Sequence, residues 1–256
     1  MCLILFAWKV HKNFPLILIA NRDEFYERPA APAAFWDGAP GLLAGRDLQE
    51  GGTWLGITRR GKLAALTNYR DPASLKSNAP SRGHLVSDYL RGRQTPENYL
   101  ARIKPKAGQY NGFNLLIGDV SELFCFSNRS GLHTVSAGIH GMSNHLLDTP
   151  WPKVERGKRA LNELIGRKRN PSPEVLLALL ADRSRPPDEQ LPITGVGLEW
   201  ERVLSPLFIE SRGYGTRSST VLTIDRAGRV TFVERVFNSG ADPWMTSRFD
   251  FPIGKT

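Results

Sequence analysis

Short apolar runs rich in β-branched and aromatic residues open and close this chain, and amphipathic segments lie between them. The first two runs, residues 2–11 and 16–22, are joined by a short connection that contains Asn13 and Pro15, as in a β-hairpin. The order of strands, helices, strands, helices and strands predicts layered α+β or α/β packing. We therefore expect an α+β domain in which strands from both chain ends share one core.

The other elements are predicted from hydrophobic period and from turn residues. Pairs of joined strands are expected at residues 54–58 with 63–69, 113–118 with 123–127, and 221–225 with 230–237, and one more strand within 132–142. Helices are expected at residues 81–92, 96–103, 151–168 and 172–181, with Thr95 as the N-cap of the second. The Pro- and Gly-rich residues 29–41 are expected to be irregular, and residues 183–192 to form a loop.

The composition bounds the class of protein. The 256 residues are 41% hydrophobic and 23% charged, which is ordinary for a globular chain and excludes disorder and collagen-like repeats. No internal repeat or linker divides them, so we expect a single domain over residues 1–256. Two cysteines are too few for a disulfide framework or a Cys-rich zinc site, and the five histidines form no His-x-x-x-His pair. We expect no metal and no cofactor.

The net charge of +9 raises the question of nucleic acid, a membrane surface or acidic ligands. The basic residues form separate small clusters without an aromatic-interleaved nucleic-acid motif, so we expect no nucleic-acid partner. Acidic small molecules, weak contact with a membrane surface and a homo-oligomer all stay open. No apolar run approaches the roughly 18 residues that span a bilayer, and no signal peptide is evident, so we expect a soluble, cytoplasmic chain.

Cys2 directly follows the initiator Met1. A small second residue generally permits removal of that methionine, which would leave a thiol and a free α-amino group on one residue. The α-amine has an ordinary pKa near 7.7–8.0, so it can act as the general base for its own side chain, as in N-terminal nucleophile enzymes. A nearby cation is needed to favour the thiolate. The alternative is that Cys2 is a small buried hydrophobe near the start of a strand.

Four consecutive polar residues, Asn21-Arg22-Asp23-Glu24, end the second predicted strand. If the first two strands form a hairpin, Arg22 or Asp23 returns beside residue 2. An arginine can stabilise a thiolate by its charge, and an aspartate can orient the α-amine by a hydrogen bond. The alternative is a solvated turn at the exit of a strand.

Six motifs occur in order along the chain. They are Asn21-Arg22-Asp23-Glu24-Phe25, Gly51-Gly52-Thr53-Trp54-Leu55-Gly56, Leu66-Thr67-Asn68-Tyr69-Arg70, Ser81-Arg82-Gly83, Gly141-Met142-Ser143-Asn144 and Gly215-Thr216-Arg217-Ser218-Ser219-Thr220. With Met1-Cys2, they resemble the NRDE family, the relatives of the transport and Golgi organisation protein 2. That family resembles the N-terminal nucleophile hydrolase superfamily, which implies a four-layer αββα sandwich.

The resemblance extends to cysteine amidases such as penicillin V acylase and bile salt hydrolase. It implies a cysteine-dependent hydrolase that acts by acyl transfer on a linear, non-peptide carbon–nitrogen bond. By this resemblance Cys2 is the nucleophile, Arg22 lies beside its sulfur and Asp23 holds the α-amine. A small-molecule amide or another acyl compound is the expected substrate.

The same resemblance assigns an oxyanion hole to Asn68 and Asn144, and a supporting role at the reacting centre to Arg217. From the residues alone, the two asparagines could instead be turn formers, and Arg217 a surface charge between glycines. The histidines at 140 and 145 flank Asn144 and are expected in a loop or at the surface, with the lining of a pocket by one of them as the alternative. Cys125, within Leu-Phe-Cys-Phe, is expected in the core.

A non-catalytic function remains the alternative. NRDE-family members are associated with haem trafficking, with lipid or acyl-CoA homeostasis, and in eukaryotes with secretion and Golgi organisation. A carrier would keep a pocket for a hydrophobic ligand and use Cys2 or a histidine as a soft ligand, with haem as the bound group.

Overall fold

The computed structural model describes residues 2–167, 169–238 and 242–254, which contain thirteen β-strands and five α-helices. The strands are β1 (Cys2–Trp8), β2 (Leu16–Phe25), β3 (Ala30–Trp36), β4 (Ala39–Asp47), β5 (Leu55–Thr58), β6 (Leu63–Asn68), β7 (Phe113–Gly118), β8 (Leu123–Ser127), β9 (Gly131–Thr134), β10 (Gly138–Met142), β11 (Tyr214–Ile224), β12 (Arg229–Val236) and β13 (Met245–Pro252). The helices are α1 (Gly83–Arg91), α2 (Pro96–Ile103), α3 (Pro152–Arg167), α4 (Pro173–Leu180) and α5 (Leu198–Leu204). Two units of the chain each have their own sheet.

The first unit comprises Met1–Glu27, Ser136–Ser143 and Leu147–Phe251 and contains a six-stranded sheet. Its strand order is β10-β1-β2-β11-β12-β13, so strands from both ends of the chain share one sheet, as the sequence predicts. β11 is antiparallel to β2 on one side and to β12 on the other. Apolar side chains of β1, β2 and β11 pack against α3 and α4 and form the core on that face.

The second unit comprises Arg28–Val135, Asn144–Leu146 and Pro252–Thr256. Its seven strands, β3 to β9, lie side by side in chain order, and each neighbouring pair is antiparallel. Helices α1 and α2 cover one face of this sheet, where they share a core with β4, β6, β7 and β8. Each unit therefore combines an antiparallel sheet with helices, which is the α+β class expected. That residues 1–256 form one domain stays a prediction.

Local sequence signals locate several elements to the residue. β7 and β8 have the predicted bounds, and α2 begins at Pro96, where the hydroxyl of Thr95 accepts a hydrogen bond from the N–H of Asn98. The hairpin of β1 and β2 and that of β5 and β6 are also confirmed. Of the helix predicted at residues 151–168, α3 covers Pro152–Arg167, and residue 168 lies outside the described residues.

The prediction of irregular structure at residues 29–41 is wrong, because β3 and the start of β4 occupy it. β3 is an edge strand and its register shifts between Ala31 and Ala34, on either side of Pro32. An edge position with a bulge tolerates a proline, because no ladder hydrogen bond is needed from it. The single strand predicted within 132–142 is two strands, β9 and β10, that belong to different sheets.

Helix α5 and strand β13 were not predicted, and β11 begins at Tyr214, seven residues before the predicted strand at 221. The start of β11 was missed because residues 216–220 are polar, a composition that does not predict a buried strand. Their side chains are nevertheless buried. None of the helices in the described part of the chain combines the length and the apolar composition needed to cross a bilayer.

Candidate active site

Cys2 begins β1 and lies directly opposite Arg22 of β2 in the antiparallel ladder. Side chains of directly opposed residues lie on the same face of a sheet, a few ångströms apart. Cys2 is partly buried and Arg22 is buried. The hairpin therefore places the side chains of Cys2 and Arg22 on the same face of the sheet. The alternative of a solvated turn is wrong for Asn21, Arg22 and Asp23, because all three are buried within β2.

Asp23 is bonded to β11, which pairs with β2 on the side opposite to β1. It lies opposite Thr216 of β11, and the Thr216 hydroxyl donates a 2.7 Å hydrogen bond to its Oδ1. Burial raises the pKa of the Asp23 carboxyl, whereas the ammonium of Lys153 and the bond from Thr216 counteract this. The result is a fixed, fully buried carboxyl group on the residue that follows Arg22.

Arg217 occupies an irregular position of β11, where the pairing with β2 shifts between Thr216 and Ser218. Its Nη1 donates to the carbonyl of Phe25 at 2.8 Å, and its Nε to the carbonyl of Phe237 at 3.4 Å. Burial lowers the pKa of Arg217, and the nearby charge of Arg22 acts in the same direction. The alternative of a surface charge between flexible glycines is therefore wrong, because Arg217 is a buried residue of a central strand.

The environment of the Cys2 thiol does not favour its ionised form. Burial raises the pKa of Cys2, and the carboxylates of Asp23 and Glu24 add to this, while the positive charges of the N-terminal ammonium and of Arg22 oppose it. Glu24 is half-buried at the end of β2, and its Oε1 accepts a hydrogen bond from the N–H of Phe25. A thiol in this setting reacts as a nucleophile only if a base removes its proton during attack.

Asn68 and Asn144 are joined to each other in the second unit. The Nδ2 of Asn144 donates a 3.0 Å hydrogen bond to the carbonyl of Asn68, the last residue of β6. The Oδ1 of Asn144 accepts from Nη2 of Arg70 at 3.1 Å, and the N–H of Arg70 donates to the carbonyl of Asn144 at 2.8 Å. Asn144 is completely buried, so these bonds fix its amide.

The six predicted residues thus fall into two groups. The first unit brings together Cys2, Arg22, Asp23 and Arg217, and the second brings together Asn68 and Asn144. The sequence reasoning missed the residues that hold them, Thr216 and Arg70. Both lie inside the quoted motifs, but only the register and the hydrogen bonds show that their side chains face a candidate residue.

Both histidines near Asn144 contact hydrogen-bonding partners. His140 is buried in β10, where Nδ1 contacts Oδ2 of Asp148 at 2.7 Å and Nε2 contacts the carbonyl of Ser136 at 2.9 Å, so its expected loop or surface position is wrong. His145 contacts the hydroxyl of Tyr69 at 2.8 Å. In the described ranges no group of three or more His, Cys, Asp and Glu residues is arranged to hold a metal ion.

The fold is shared with two solved proteins that are named as a hydrolase and an amidase. A C2A mutant of the conjugated bile acid hydrolase from Clostridium perfringens superposes with a TM-score of 0.55 at 8% identity, over 98% of this chain and 92% of that one. An N-acylethanolamine-hydrolyzing acid amidase ortholog from Caenorhabditis elegans gives a TM-score of 0.51 at 12% identity, over 86% and 92%. At such identities the likeness concerns the fold alone, and it confirms the expected N-terminal nucleophile hydrolase type.

Sequence relatives cover nearly the whole chain. The Transport and Golgi organization protein 2 homologs of Bos taurus and Homo sapiens are 39% and 37% identical to it, over 99% of each chain. The Transport and Golgi organization protein 2 of Drosophila melanogaster is 30% identical, over 95% of this chain and 94% of its own. The family profile described as Transport and Golgi organisation 2 matches residues 1–239. The chain belongs to the Transport and Golgi organisation 2 family.

Proposed function

We propose that this protein is a cysteine-dependent N-terminal nucleophile hydrolase that cleaves a linear, non-peptide amide by acyl transfer through Cys2. The observation that supports this most is the direct pairing of Cys2 with Arg22 in the ladder of β1 and β2, with the buried Asp23 next along the strand. Two proteins of the same fold are named for hydrolysis of conjugated bile acids and of N-acylethanolamines, which are amides.

The first chemical step begins once Met1 has been removed. The α-amine of Cys2 takes the thiol proton as Sγ attacks the amide carbonyl carbon, and the carbonyl oxygen becomes an oxyanion. The C–N bond then breaks, and the proton passes from the α-ammonium to the leaving nitrogen. The products of this half-reaction are a free amine and a thioester on Sγ. A thiol whose ordinary state is protonated can follow this route, because the proton leaves only during attack.

The second step regenerates the enzyme. Water attacks the thioester carbonyl while the α-amine takes a water proton, and the C–S bond breaks to give a carboxylic acid and the thiol. Arg22 contributes a fixed positive charge next to the sulfur, and Asp23 keeps the α-amine oriented. Arg217 is buried near Arg22 and contributes to the same positive potential.

The oxyanion role of Asn68 and Asn144 is carried over from the resemblance to cysteine amidases and is part of this proposal. A fixed amide donor is what such a role requires, since loss of one oxyanion donor lowers the rate by about 10²–10³-fold. The bonds of Asn144 to Asn68 and Arg70 hold its amide in one orientation. Substitution Asn144→Ala should lower the acylation rate by that factor.

The proposal is tested with N-acyl amides and activated acyl esters of short, medium and long chains. The wild type and the Cys125→Ala variant should release the acid product at similar rates, because Cys125 is a buried residue of β8. The Cys2→Ala variant should release none above background. Equal rates for the wild type and Cys2→Ala over the whole panel would refute the proposal.

A non-catalytic carrier gives a different set of results. It predicts no turnover with any acyl compound, and a shift of the haem Soret band at stoichiometric protein that is lost on Cys2→Ala or on substitution of a histidine. Neither result is expected if Cys2 is a nucleophile, so the two functions are separated by the same variants.

A further inference from the structure

A completely buried asparagine in the second unit bonds the chain neighbours of both candidate oxyanion residues. Asn114 belongs to β7 and lies opposite Thr67, the residue before Asn68. Its Nδ2 donates one hydrogen bond to Oγ1 of Thr67 at 3.0 Å and another to the carbonyl of His145 at 2.8 Å. His145 directly follows Asn144. One amide group thus connects the neighbours of both residues.

The orientation of this amide is determined by its partners. The carbonyl of His145 can only accept, so the NH₂ end of Asn114 must face it, and both hydrogens of Nδ2 are used. The Oδ1 at the other end is buried and has no hydrogen-bond partner among the described residues. An unsatisfied buried acceptor is unfavourable for folding. The burial of this oxygen does not stabilise the folded protein. The two bonds that Nδ2 donates, in contrast, fix the positions of Thr67 and His145 relative to each other.

The segment that Asn114 contacts, residues 144–146, is a short part of the second unit. Residues 144–146 belong to the second unit, but the residues before and after them belong to the first. Within the second unit, Arg70 and Asn68 hold Asn144, and Asn114 holds the carbonyl of the next residue. The side chain of Asn144 takes its place from these bonds, and a displacement of about 1 Å at a reacting group can lower a rate by about 10²-fold.

We propose that Asn114 is a positioning residue for the Asn68–Asn144 pair, which it aligns by donating both amide hydrogens, one to Thr67 and one to His145. The inference rests on the proposed function, because it assigns Asn114 to the oxyanion site of that reaction. Asn114 acts through its neighbours and does not touch the acyl group.

The substitution Asn114→Leu removes both donors, and also the unsatisfied Oδ1, with little change in volume. Its matched control is Asn128→Leu in the same unit. Asn128 also uses both ends of its amide, since Nδ2 donates to the carbonyl of Ala107 and Oδ1 accepts from the N–H of Phe113, but it bonds neither residues 67–68 nor 144–146. Three measurements are made on each chain: the thermal midpoint, hydrogen exchange of peptides that cover residues 143–147, and the rate of Cys2 acylation by a p-nitrophenyl ester.

For Asn114→Leu we expect exchange of residues 144–146 to be at least about 5-fold faster, as loss of a buried hydrogen bond implies. We also expect Cys2 acylation to slow by about 10-fold or more, with a smaller loss of thermal midpoint than in Asn128→Leu. Asn128→Leu should retain wild-type exchange at 144–146 and wild-type acylation.

Unchanged exchange of residues 144–146 in Asn114→Leu would overturn the inference, whatever the activity. Faster exchange with wild-type acylation would overturn it as well, because the position of the segment would then not matter to the reaction. If the wild-type protein is not acylated at Cys2 by any ester, the proposed function fails and the oxyanion assignment with it. The exchange measurement then still decides whether Asn114 fixes the segment.

Discussion

Replacing Asp148 by Asn removes a carboxylate that lies between β10 and α3 and bonds residues of both elements. Both ring nitrogens of His140 face acceptors, Oδ2 of Asp148 and the carbonyl of Ser136, so both contacts are hydrogen bonds only if the ring carries two hydrogens and a positive charge. The other carboxylate oxygen of Asp148 accepts from the N–H of Gly141 and contacts Nζ of Lys158 at 3.0 Å.

The pKa values of the two partners move in opposite directions. The hydrogen bond that His140 donates to Asp148 raises the pKa of His140 above its ordinary value, against the effect of burial. Burial alone would raise the pKa of Asp148, but its bonds to His140, Gly141 and Lys158 hold it below its ordinary value. The His140 contribution to stability is thus complete below about pH 6.5 and is lost as the pH rises through the raised value. The Asp148 contribution is present above about pH 4 and is lost as the pH falls through the lowered value.

The magnitude follows from these contacts. A hydrogen bond to a charged group contributes about 1.5–3 kcal/mol, so we expect Asp148→Asn to lower the free energy of unfolding by about 2 kcal/mol at pH 5.5. Above the raised pKa of His140 the ring is neutral in both proteins, and the loss is then smaller by about 1.4 kcal/mol for each unit by which Asp148 raises that pKa. The loss at pH 8.5 should therefore be smaller than the loss at pH 5.5.

Urea unfolding of the wild type and of Asp148→Asn at the two pH values measures both losses. The control is Asp71→Asn, which breaks the contact of Asp71 with Arg129, an ion pair that contains no histidine. Its loss should be the same at pH 5.5 and 8.5. A loss for Asp148→Asn that is equal at both pH values, or larger at pH 8.5, would refute the assignment of a charged His140.

Two further substitutions test how side chains complete the hydrogen bonding of helix ends. Nζ of Lys62 donates to the carbonyls of Tyr89, Gly92 and Gln94 at the end of α1, so Lys62→Met should lower the free energy of unfolding by about 2 kcal/mol, and a wild-type urea midpoint would contradict this. The buried Nδ2 of Asn21 donates to carbonyls at the end of α4 and before β11, so Asn21→Leu should cost about 3 kcal/mol; a loss below 1 kcal/mol in the same assay would show that these carbonyls find other donors.

The sequence predicts elements well where local rules decide them. Thr95 followed by Pro96 locates α2, and short apolar runs locate β7 and β8, because caps and apolar runs are properties of neighbouring residues. β3 is missed because its proline argues against a strand, and only its edge position in the sheet makes that proline acceptable. The polar start of β11 is missed because burial of Thr216 and Ser219 depends on partners far away in the chain.

The site is predictable to a similar extent. The hairpin that opens the chain implies that Arg22 or Asp23 returns to residue 2, and the ladder selects Arg22. The role of Asn114 has no local signal, because its partners are 47 and 31 residues away. Which face of a strand a polar side chain occupies, and what it bonds there, follows from the tertiary structure.

The central claim is that Cys2, freed of Met1, carries the acyl group during turnover. The most direct test is to quench the reaction rapidly with acid while the protein is hydrolysing an amide substrate, and then to analyse its peptides by mass spectrometry. The account predicts an N-terminal peptide that begins at Cys2 and is heavier by the mass of the acyl group, and no modification of the Cys125 peptide. Turnover by a protein that retains Met1, or by one whose acyl group is found on any other residue, would contradict the account.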